Sequence, residues 1–257
     1  MNVSLVLAPN PGLMTGPGTN TWIVSSMGEA IVLDPGPEIS EHLAAIEAAL
    51  DGIGVVAVVV THTHSDHAPL ANLLAGRLRV PAIGPAFGPD FRPDRLIADG
   101  ESVGFGDQRL MALATPGHTP DSTCYRVDDA LFTGDHIMGG STVMVEDMSD
   151  YLRSLRAVQG IGLRVIYPGH GPIIAEPDRV VGDYLSHRLE REAQILATVR
   201  SGAATVGEVV QRVYADVDAA LHAPAAVSVD AHLRKLADEG LVEYHGGGWS
   251  GRVGARS

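Results

Sequence analysis

The sequence has very little of several residue types, and each shortage excludes something. Cys124 is the only cysteine, so no internal disulfide framework can stabilise the fold. Lys235 is the only lysine, and 18 basic residues stand against 31 acidic ones, for a formal net charge of −13. Proteins that bind nucleic acids or membrane surfaces without specificity carry basic patches, so the composition disfavours both classes.

Long apolar runs and targeting signals are missing as well. No apolar stretch reaches the roughly 18 residues of a membrane-spanning helix. The N-terminal segment MNVSLVLAPNPG lacks the positively charged region of a signal peptide. We therefore expect a cytoplasmic protein with no membrane partner, and the sequence does not indicate an oligomeric state.

Apolar residues are plentiful and occur in short runs. They make up 45% of the 257 residues, enough for one large domain or for a domain with a small appendage. Strands alternating with helices predict a layered α/β domain with its sheets inside and its helices outside. The predicted strands are 4–8, 20–26, 30–36, 55–60, 110–117, 122–127, 130–135 and 164–169, and the predicted helices are 40–52, 70–78, 147–160 and 178–202.

The chain changes character near Gly202, which sets predicted domains of 1–202 and 203–257. In the second of these, helices at 205–215 and 228–241 precede a glycine-rich hairpin at 242–251, the outline of a winged helix. This segment has more acidic than basic residues. We therefore expect it to cover the substrate or to pack against the rest of the chain, and not to bind duplex DNA.

A cluster of polar residues directly follows the predicted buried strand VVAVVV. His62, His64, Asp66 and His67 form the pattern H-x-H-x-D-H. Two residues that are two positions apart on an extended segment point to the same side, so His62 and His64 converge. Burying such groups is costly unless something binds them. Imidazole and carboxylate ligands suit zinc, and also iron or manganese.

Three other predicted strands end in the same way. His118 follows the turn TPG, Asp135 follows TG, and His170 lies between two glycines in PGHG. Glycine lets the backbone turn sharply and pass close to a site. The repeated order of strand, glycine turn and metal-type ligand predicts that these residues join the histidine cluster.

The series H-x-H-x-D-H, PGHT, GD and PGHG resembles the metallo-β-lactamase superfamily over residues 1 to about 200. The segments NPGLMTGPGTNTWIV, SDYLRSL and SHRLEREAQIL look like the branch that includes the mitochondrial β-lactamase-like endoribonuclease. That branch is similar to the thioesterases of polyketide pathways, and its members carry a C-terminal winged-helix-like extension. The resemblance implies a four-layer αββα sandwich with the metals at one edge of two sheets, plus a small winged-helix-like domain.

The resemblance also implies a ligand set for two Zn²⁺ per chain, with Mn²⁺ or Fe²⁺ as alternatives. One metal would be held by His62, His64 and His118, and the second by Asp66, His67 and His170. Asp135 would bridge them, and a metal-bound hydroxide would be the nucleophile. Asp66 and Asp135 are the candidate catalytic residues.

Three more residues are candidates for supporting roles. Asp34, in the segment VLDPG, would orient a ligand histidine or its loop, with turn capping as the alternative. Tyr151 and His187 would contact substrate or donate a proton to the leaving group, with helix packing as the alternative. We predict that Cys124 is a structural thiol. The histidines predicted to lie at the surface are His42, His222, His232 and His245.

Three functions remain open: a dinuclear zinc hydrolase of a small carboxyl ester or thioester, a zinc-dependent endoribonuclease, and a metal-stabilised DNA-binding regulator. A structural zinc needs only four closed ligands, so a set of seven argues against the regulator. The ligand-bearing segments 61–74, 115–124 and 133–144 contain no basic residue, and the one nearby basic cluster is formed by His187, Arg188 and Arg191. Each bound RNA phosphate normally requires a Lys or Arg. We therefore favour a small, anionic ester or thioester over RNA.

Overall fold

The computed structural model describes residues 1–252. The predicted C-terminal domain extends to residue 257, so its end, 253–257, lies outside the described residues. The chain forms two compact units, each assembled from separate segments. The first comprises Met1–Thr115, Asp121–Val143 and Gly160–Asp178, and the second comprises Pro116–Pro120, Met144–Gln159 and the residues from Arg179 onward. The boundary at residue 202 stays a prediction.

The first unit contains a six-stranded sheet whose strands lie side by side in chain order. Its first three strands are antiparallel, and the third to the sixth are parallel. The carboxyl ends of parallel strands meet at one edge of a sheet, which is where polar sites form in α/β proteins. The strands are β1 (Asn2–Leu7), β2 (Asn20–Ser26), β3 (Glu29–Leu33), β4 (Gly54–Val59), β5 (Ala82–Gly84) and β6 (Arg95–Leu96).

A second sheet of five strands completes the β-structure of this unit. Its order is β11, β10, β9, β8, β7, with β10 and β11 parallel and the other neighbours antiparallel. The strands are β7 (Ser102–Phe105), β8 (Gln108–Ala114), β9 (Thr123–Val127), β10 (Ala130–Gly134) and β11 (Val165–Pro168).

The two sheets pack face to face through one apolar cluster. Trp22 and Leu33 of the first sheet share it with Tyr125 and Phe132 of the second. Because successive strand residues point to opposite faces, the alternate residues of the first sheet are available to pack on its other side. The mixed α/β class predicted from the sequence is confirmed.

Helices α1 (Ser40–Ala49) and α2 (Leu70–Leu78) cover that other side of the first sheet. Ile46 and Leu74 are buried there among strand residues such as Val58. The predicted first helix is three residues too long, since the chain turns away before Gly52, where φ is +74°. The segment between β4 and α2 carries the histidine cluster and leads directly into the second of these helices.

The second unit contains three further helices, a hairpin, and the part of a long helix from Arg179 onward. Its apolar core joins Ile195 and Val199 to Val209, Leu233 and Leu236, so the winged-helix segment and the preceding long helix share one core. Among residues 1–252, no helix combines the length and apolar character needed to cross a membrane. The elements are α3 (Met148–Val158), α4 (Pro177–Arg200), α5 (Val206–Val213), α6 (His222–Asp238), β12 (Val242–His245) and β13 (Gly248–Gly251).

Candidate metal centre

The segment that follows β4 turns sharply before α2 begins. His62 and His67 are buried, whereas His64 and Asp66 are partly exposed. The backbone N–H of His67 donates to the carbonyl oxygen of His64 at 3.1 Å. This turn folds the H-x-H-x-D-H motif back on itself at the carboxyl end of a buried parallel strand.

One candidate ligand group lies wholly within the first unit. Single ligand atoms of Asp66, His67, Asp135 and His170 lie within 4.8 Å of one another. Nε2 of His67 is 3.2 Å from Nε2 of His170, and Oδ1 of Asp135 is 3.3 and 3.4 Å from these nitrogens. Two ligands at the corners of a tetrahedral zinc site are separated by about 3.3 Å. These three atoms therefore have the spacing that a zinc ion requires.

Asp66 contributes the fourth atom of this group. Its Oδ2 lies 3.1 Å from Nε2 of His170 and 3.8 Å from Nε2 of His67. Its side chain is 25% exposed, compared with 7% for Asp135. Asp66 is thus the more open of the two acidic residues.

A second group shares Asp135 with the first. Single ligand atoms of His62, His64 and Asp135 lie within 4.8 Å of one another, and Nε2 of His62 is 3.1 Å from Nδ1 of His64. His118, which the sequence predicts as a further ligand, belongs to the second unit, where its Nδ1 is 2.7 Å from the carbonyl oxygen of Met144. Asp135 is common to both groups, as expected of a bridging carboxylate.

Hydrogen bonds on the far side of each ring determine which nitrogen is available as a ligand. Nδ1 of His67 lies 3.0 Å from Oδ2 of Asp34, and Nδ1 of His170 lies 3.1 Å from the carbonyl oxygen of Gly18. Both acceptors require a proton on Nδ1. In the neutral form of each ring, which is the form that binds a metal, the lone pair is therefore on Nε2, the atom that faces the other candidate ligands.

Asp34 lies at the centre of these orienting contacts. Its Oδ1 accepts from the backbone N–H of Thr61 at 2.7 Å, and its Oδ2 accepts from the Thr61 hydroxyl at 2.7 Å. Because this hydroxyl proton points to Asp34, the Thr61 oxygen accepts from Nδ1 of His62, 3.0 Å away. Asp34 is therefore in contact with His67 directly and with His62 through Thr61. Its contacts are those expected of a residue that orients ligand histidines.

The charges of three neighbouring carboxylates determine the protonation of His67. Burial lowers the pKa of His67, but the charges of Asp135, Asp34 and Asp66 outweigh it and hold that pKa well above its usual range. Burial raises the pKa of Asp66, yet the charge of His67 and a hydrogen bond with His170 leave it below its ordinary value. The site thus concentrates negative charge in a buried position. A divalent cation compensates such charge, so the residues present fit a metal.

Gly169 has no room for a side chain because the ligands pack against it. A Cβ at this position would lie 2.7 Å from Cε1 of His67 and 2.8 Å from Oδ1 of Asp135. The backbone cannot retreat easily, since Gly169 donates to the carbonyl of Gly134 at 2.8 Å and accepts from Asn20 at 2.7 Å. The glycine before His170 is therefore required by the close approach of the ligands.

We expect Gly169→Ala to lower zinc affinity by about 10–100-fold, because the new methyl group displaces two candidate ligands. Competition with a chromophoric chelator measures this. Gly182→Ala is the matched control, because a Cβ at that helical position meets nothing within 4 Å. Equal zinc affinities of the Gly169→Ala and Gly182→Ala proteins would contradict the tight packing of this site.

Tyr151 and His187 both lie in the second unit, with different exposure. Tyr151 is fully buried, and the guanidinium of Arg188 lies over its ring at 5.3 Å. His187 is exposed on α4. Arg188 is itself buried, and Arg191 donates to the carbonyl of Val213 at 2.8 Å. The predicted basic cluster is thus largely engaged in packing within its own unit, and the substrate roles of Tyr151 and His187 stay predictions.

Two histidines predicted at the surface are buried instead. His42 lies under α1, with Nε2 2.9 Å from the Thr21 hydroxyl, and His232 lies on α6, with Nδ1 3.1 Å from Glu192. That prediction was wrong because each histidine has a polar partner from a distant part of the sequence. Cys124 is buried, and burial raises the pKa of its thiol to about 12. It is therefore protonated at neutral pH, as expected of a structural thiol.

Comparison with known proteins gives consistent matches over both parts of the chain. Residues 14–170 match the sequence model of the metallo-beta-lactamase superfamily. Residues 205–249 match that of the beta-lactamase associated winged helix domain. The first match includes every candidate ligand, and the second includes α5, α6 and most of the hairpin.

Individual relatives extend along most of the chain. A beta-lactamase-like protein 2 homolog of Caenorhabditis elegans is 32% identical over 253 residues, 94% of this chain and 86% of the relative. An atrochrysone carboxyl ACP thioesterase of Aspergillus chevalieri is 35% identical over 227 residues, 82% of this chain and 73% of the relative. The crystal structure of a metallo-beta-lactamase family protein from Thermus thermophilus has the same fold, with a TM-score of 0.82 at 22% identity over 97% of this chain and 98% of that one.

Proposed function

Because the chain belongs to the metallo-β-lactamase superfamily, we propose that it is a dinuclear zinc hydrolase of a small carboxyl ester or thioester. The predicted family, the α/β fold with a winged helix and the hydrolase class are confirmed by these similarities. The number and identity of the metals and the substrate are the proposal. The observation that carries it is the position of Asp135 in two ligand groups at once.

We assign one zinc to His62, His64 and His118, and the other to Asp66, His67 and His170, with Asp135 between them. Nitrogen and carboxylate donors suit Zn²⁺, while Mn²⁺ and Fe²⁺ accept the same ligands. His118 is placed in the first set because its PGHT motif resembles that of the metallo-β-lactamase superfamily. The bonds from Nδ1 of His67 and His170 to protein acceptors support the second set.

Bound divalent metals lower the pKa of water and polarise a carbonyl oxygen, which is the chemistry that ester hydrolysis needs. The protein residues then have separate tasks. Asp34 and Thr61 hold the ligand rings in one tautomer. Asp66, the more open carboxylate, accepts the proton of the attacking water. Asp135 stays buried and fixes the distance between the two ligand groups.

The distribution of basic residues supports a small substrate over RNA. The ligand-bearing segments 61–74, 115–124 and 133–144 have no Lys or Arg, and an RNA groove neutralises several phosphates with such residues. Arg188 is buried and Arg191 is bonded to backbone. One of the relatives is named as a thioesterase, which agrees with the proposed substrate class.

The winged-helix segment is proposed to have no part in binding duplex DNA. On α6, Arg234 pairs with Asp230 at 3.0 Å, and Lys235 pairs with Glu192 at 2.8 Å and Glu239 at 2.7 Å. These pairs neutralise the basic side chains of the helix that would read a groove. A regulator that binds DNA is therefore disfavoured.

The direct test is the metal content. Protein purified after growth in zinc is expected to contain two zinc ions per chain by elemental analysis, because the two ligand groups share Asp135. Removal of zinc with a chelator is expected to abolish thioester hydrolysis, and its return to restore it. Less than one zinc per chain, or full hydrolysis by the metal-free protein, would contradict the proposal.

A further inference from the structure

Asp34 holds the ligand histidines from an unusual backbone conformation. Its φ is +48°, in the left-handed region that residues other than glycine seldom adopt. Its own N–H donates to the carbonyl of Val59 at 2.9 Å. A residue in this region persists only when the surrounding structure holds it. The hydrogen bonds to the backbone carbonyl of Asp34 therefore affect the geometry of the candidate metal centre.

The hydroxyl of Thr21 supplies such a hydrogen bond. It donates to the carbonyl oxygen of Asp34 at 2.7 Å, and both residues are buried. The same hydroxyl oxygen is 2.9 Å from Nε2 of His42. A hydroxyl has one proton, so once it donates to Asp34 it accepts from His42. His42, Thr21 and the Asp34 backbone thus form one directed chain of hydrogen bonds.

The His42 ring also packs against the next turn of the same loop. A Cβ at Gly36 would be 3.4 Å from Nε2 of His42. Gly36 in turn donates its N–H to the carbonyl oxygen of His67 at 2.9 Å and accepts from Leu70 at 3.0 Å. The segment 34–36 is therefore in contact with His42 and Thr21 on one side, and with the side chain and backbone of His67 on the other.

From this geometry we propose that His42, acting through Thr21, is a positioning residue for the metal ligands His62 and His67. The inference rests on the proposed metal site. His42 does not touch a ligand or substrate, and it acts only by holding the Asp34 turn in place. The carboxylate of Asp34 then transmits that position to Nδ1 of His67 and, through Thr61, to Nδ1 of His62.

The test compares variants that keep or remove one hydroxyl. Thr21→Val retains the shape but loses the bond to Asp34, and we expect zinc affinity to fall about tenfold, as for other groups that orient a ligand. Thr21→Ser keeps the hydroxyl and is expected to restore affinity. Thr198→Val is the control, because that hydroxyl also donates to a backbone carbonyl, at 2.7 Å, but within α4.

Zinc affinity is measured by chelator competition on the metal-free protein, together with the melting temperature of that form. A purely structural role would lower the melting temperature of Thr21→Val and leave its zinc affinity at the wild-type value, which would overturn the inference. If Thr21→Val does not fold, His42→Gln and His42→Asn replace it. The longer amide reaches Thr21 and is expected to retain affinity, while the shorter one is expected to lose it, and equal affinities would overturn the inference.

The two proposals fail in different ways. Wild-type protein that binds no zinc would overturn the proposed function together with this inference. Wild-type protein that binds two zinc ions, alongside a Thr21→Val variant of the same affinity, would overturn the inference alone.

Discussion

Asp135→Asn is expected to reduce thioester hydrolysis about a thousandfold or more, or roughly 4 kcal/mol of transition-state stabilisation. The substitution keeps the shape of the side chain and removes its charge. Oδ1 of Asp135 lies 3.3 Å from Nε2 of His67 and 3.4 Å from Nε2 of His170. An amide in the same place is a weaker ligand and presents an N–H₂ group to one of the two ligand groups. The measurement is kcat/KM on an activated thioester, with the metal content of the same sample.

Asp129→Asn is the matched control for this prediction. Asp129 lies six positions earlier, with its side chain 46% exposed and 3.6 Å from Arg164. Surface substitutions of this kind change free energies by about 0.5 kcal/mol or less, so this variant should keep its activity. Asp135→Asn protein that is folded and retains a tenth or more of wild-type kcat/KM would contradict the assignment of Asp135 to both ligand groups.

The sequence could predict which candidate ligands come together, because each of them follows the end of a predicted strand. β4, β10 and β11 end just before Thr61, Asp135 and Gly169–His170, and each end carries a polar residue in an apolar context. Buried strands that end in a glycine turn and a metal-type ligand are rare by chance. The pattern of apolar and polar residues also predicted α2 and β2 with the same bounds as in the structure.

Apart from Asp34, the groups that orient the candidate ligands could not be predicted, because most of them have no signal in the sequence. The acceptor for His170 is the backbone carbonyl of Gly18, and any residue has such a carbonyl. His42 stands between polar and apolar residues on a short helix, as a surface histidine would. Only the folded chain brings it to Thr21, 21 positions away. For Thr61 the sequence gives one weak indication of such a role, because this residue directly precedes the first candidate ligand, His62.

Short strands and one helix start were also missed. β5 has three residues and β6 has two, too few for an alternating pattern to be visible. The predicted second helix of the winged segment began at residue 228, whereas α6 begins at His222. Pro224 lies in the first turn of α6, where a proline costs no hydrogen bond because the N–H groups there have no partner within the helix.

The choice of substrate depends on how the basic residues are used, and here the structure adds to the charge count. Arg188 lies buried over the Tyr151 ring, and Arg191 lies 4.3 Å from the centre of the Tyr214 ring while donating to Val213. Side chains engaged in this way are poor partners for a chain of phosphates. A small substrate with a single carboxylate or phosphate needs far fewer free basic side chains than RNA does.

We therefore expect turnover of small thioesters or lactones at least about a hundredfold above an Asp135→Asn blank, and no RNA cleavage above that blank, since an RNA groove needs several free basic residues. The measurement compares a panel of thioesters and lactones with single-stranded RNA under the same zinc and salt conditions. Lowering the salt concentration is a further arm, because RNA binding through phosphates strengthens steeply as salt falls, whereas hydrolysis of a small ester responds weakly. Zinc-dependent RNA cleavage well above the blank, increasing at low salt and accompanied by no thioester or lactone turnover, would show that the basic residues of this chain serve a polyanion after all.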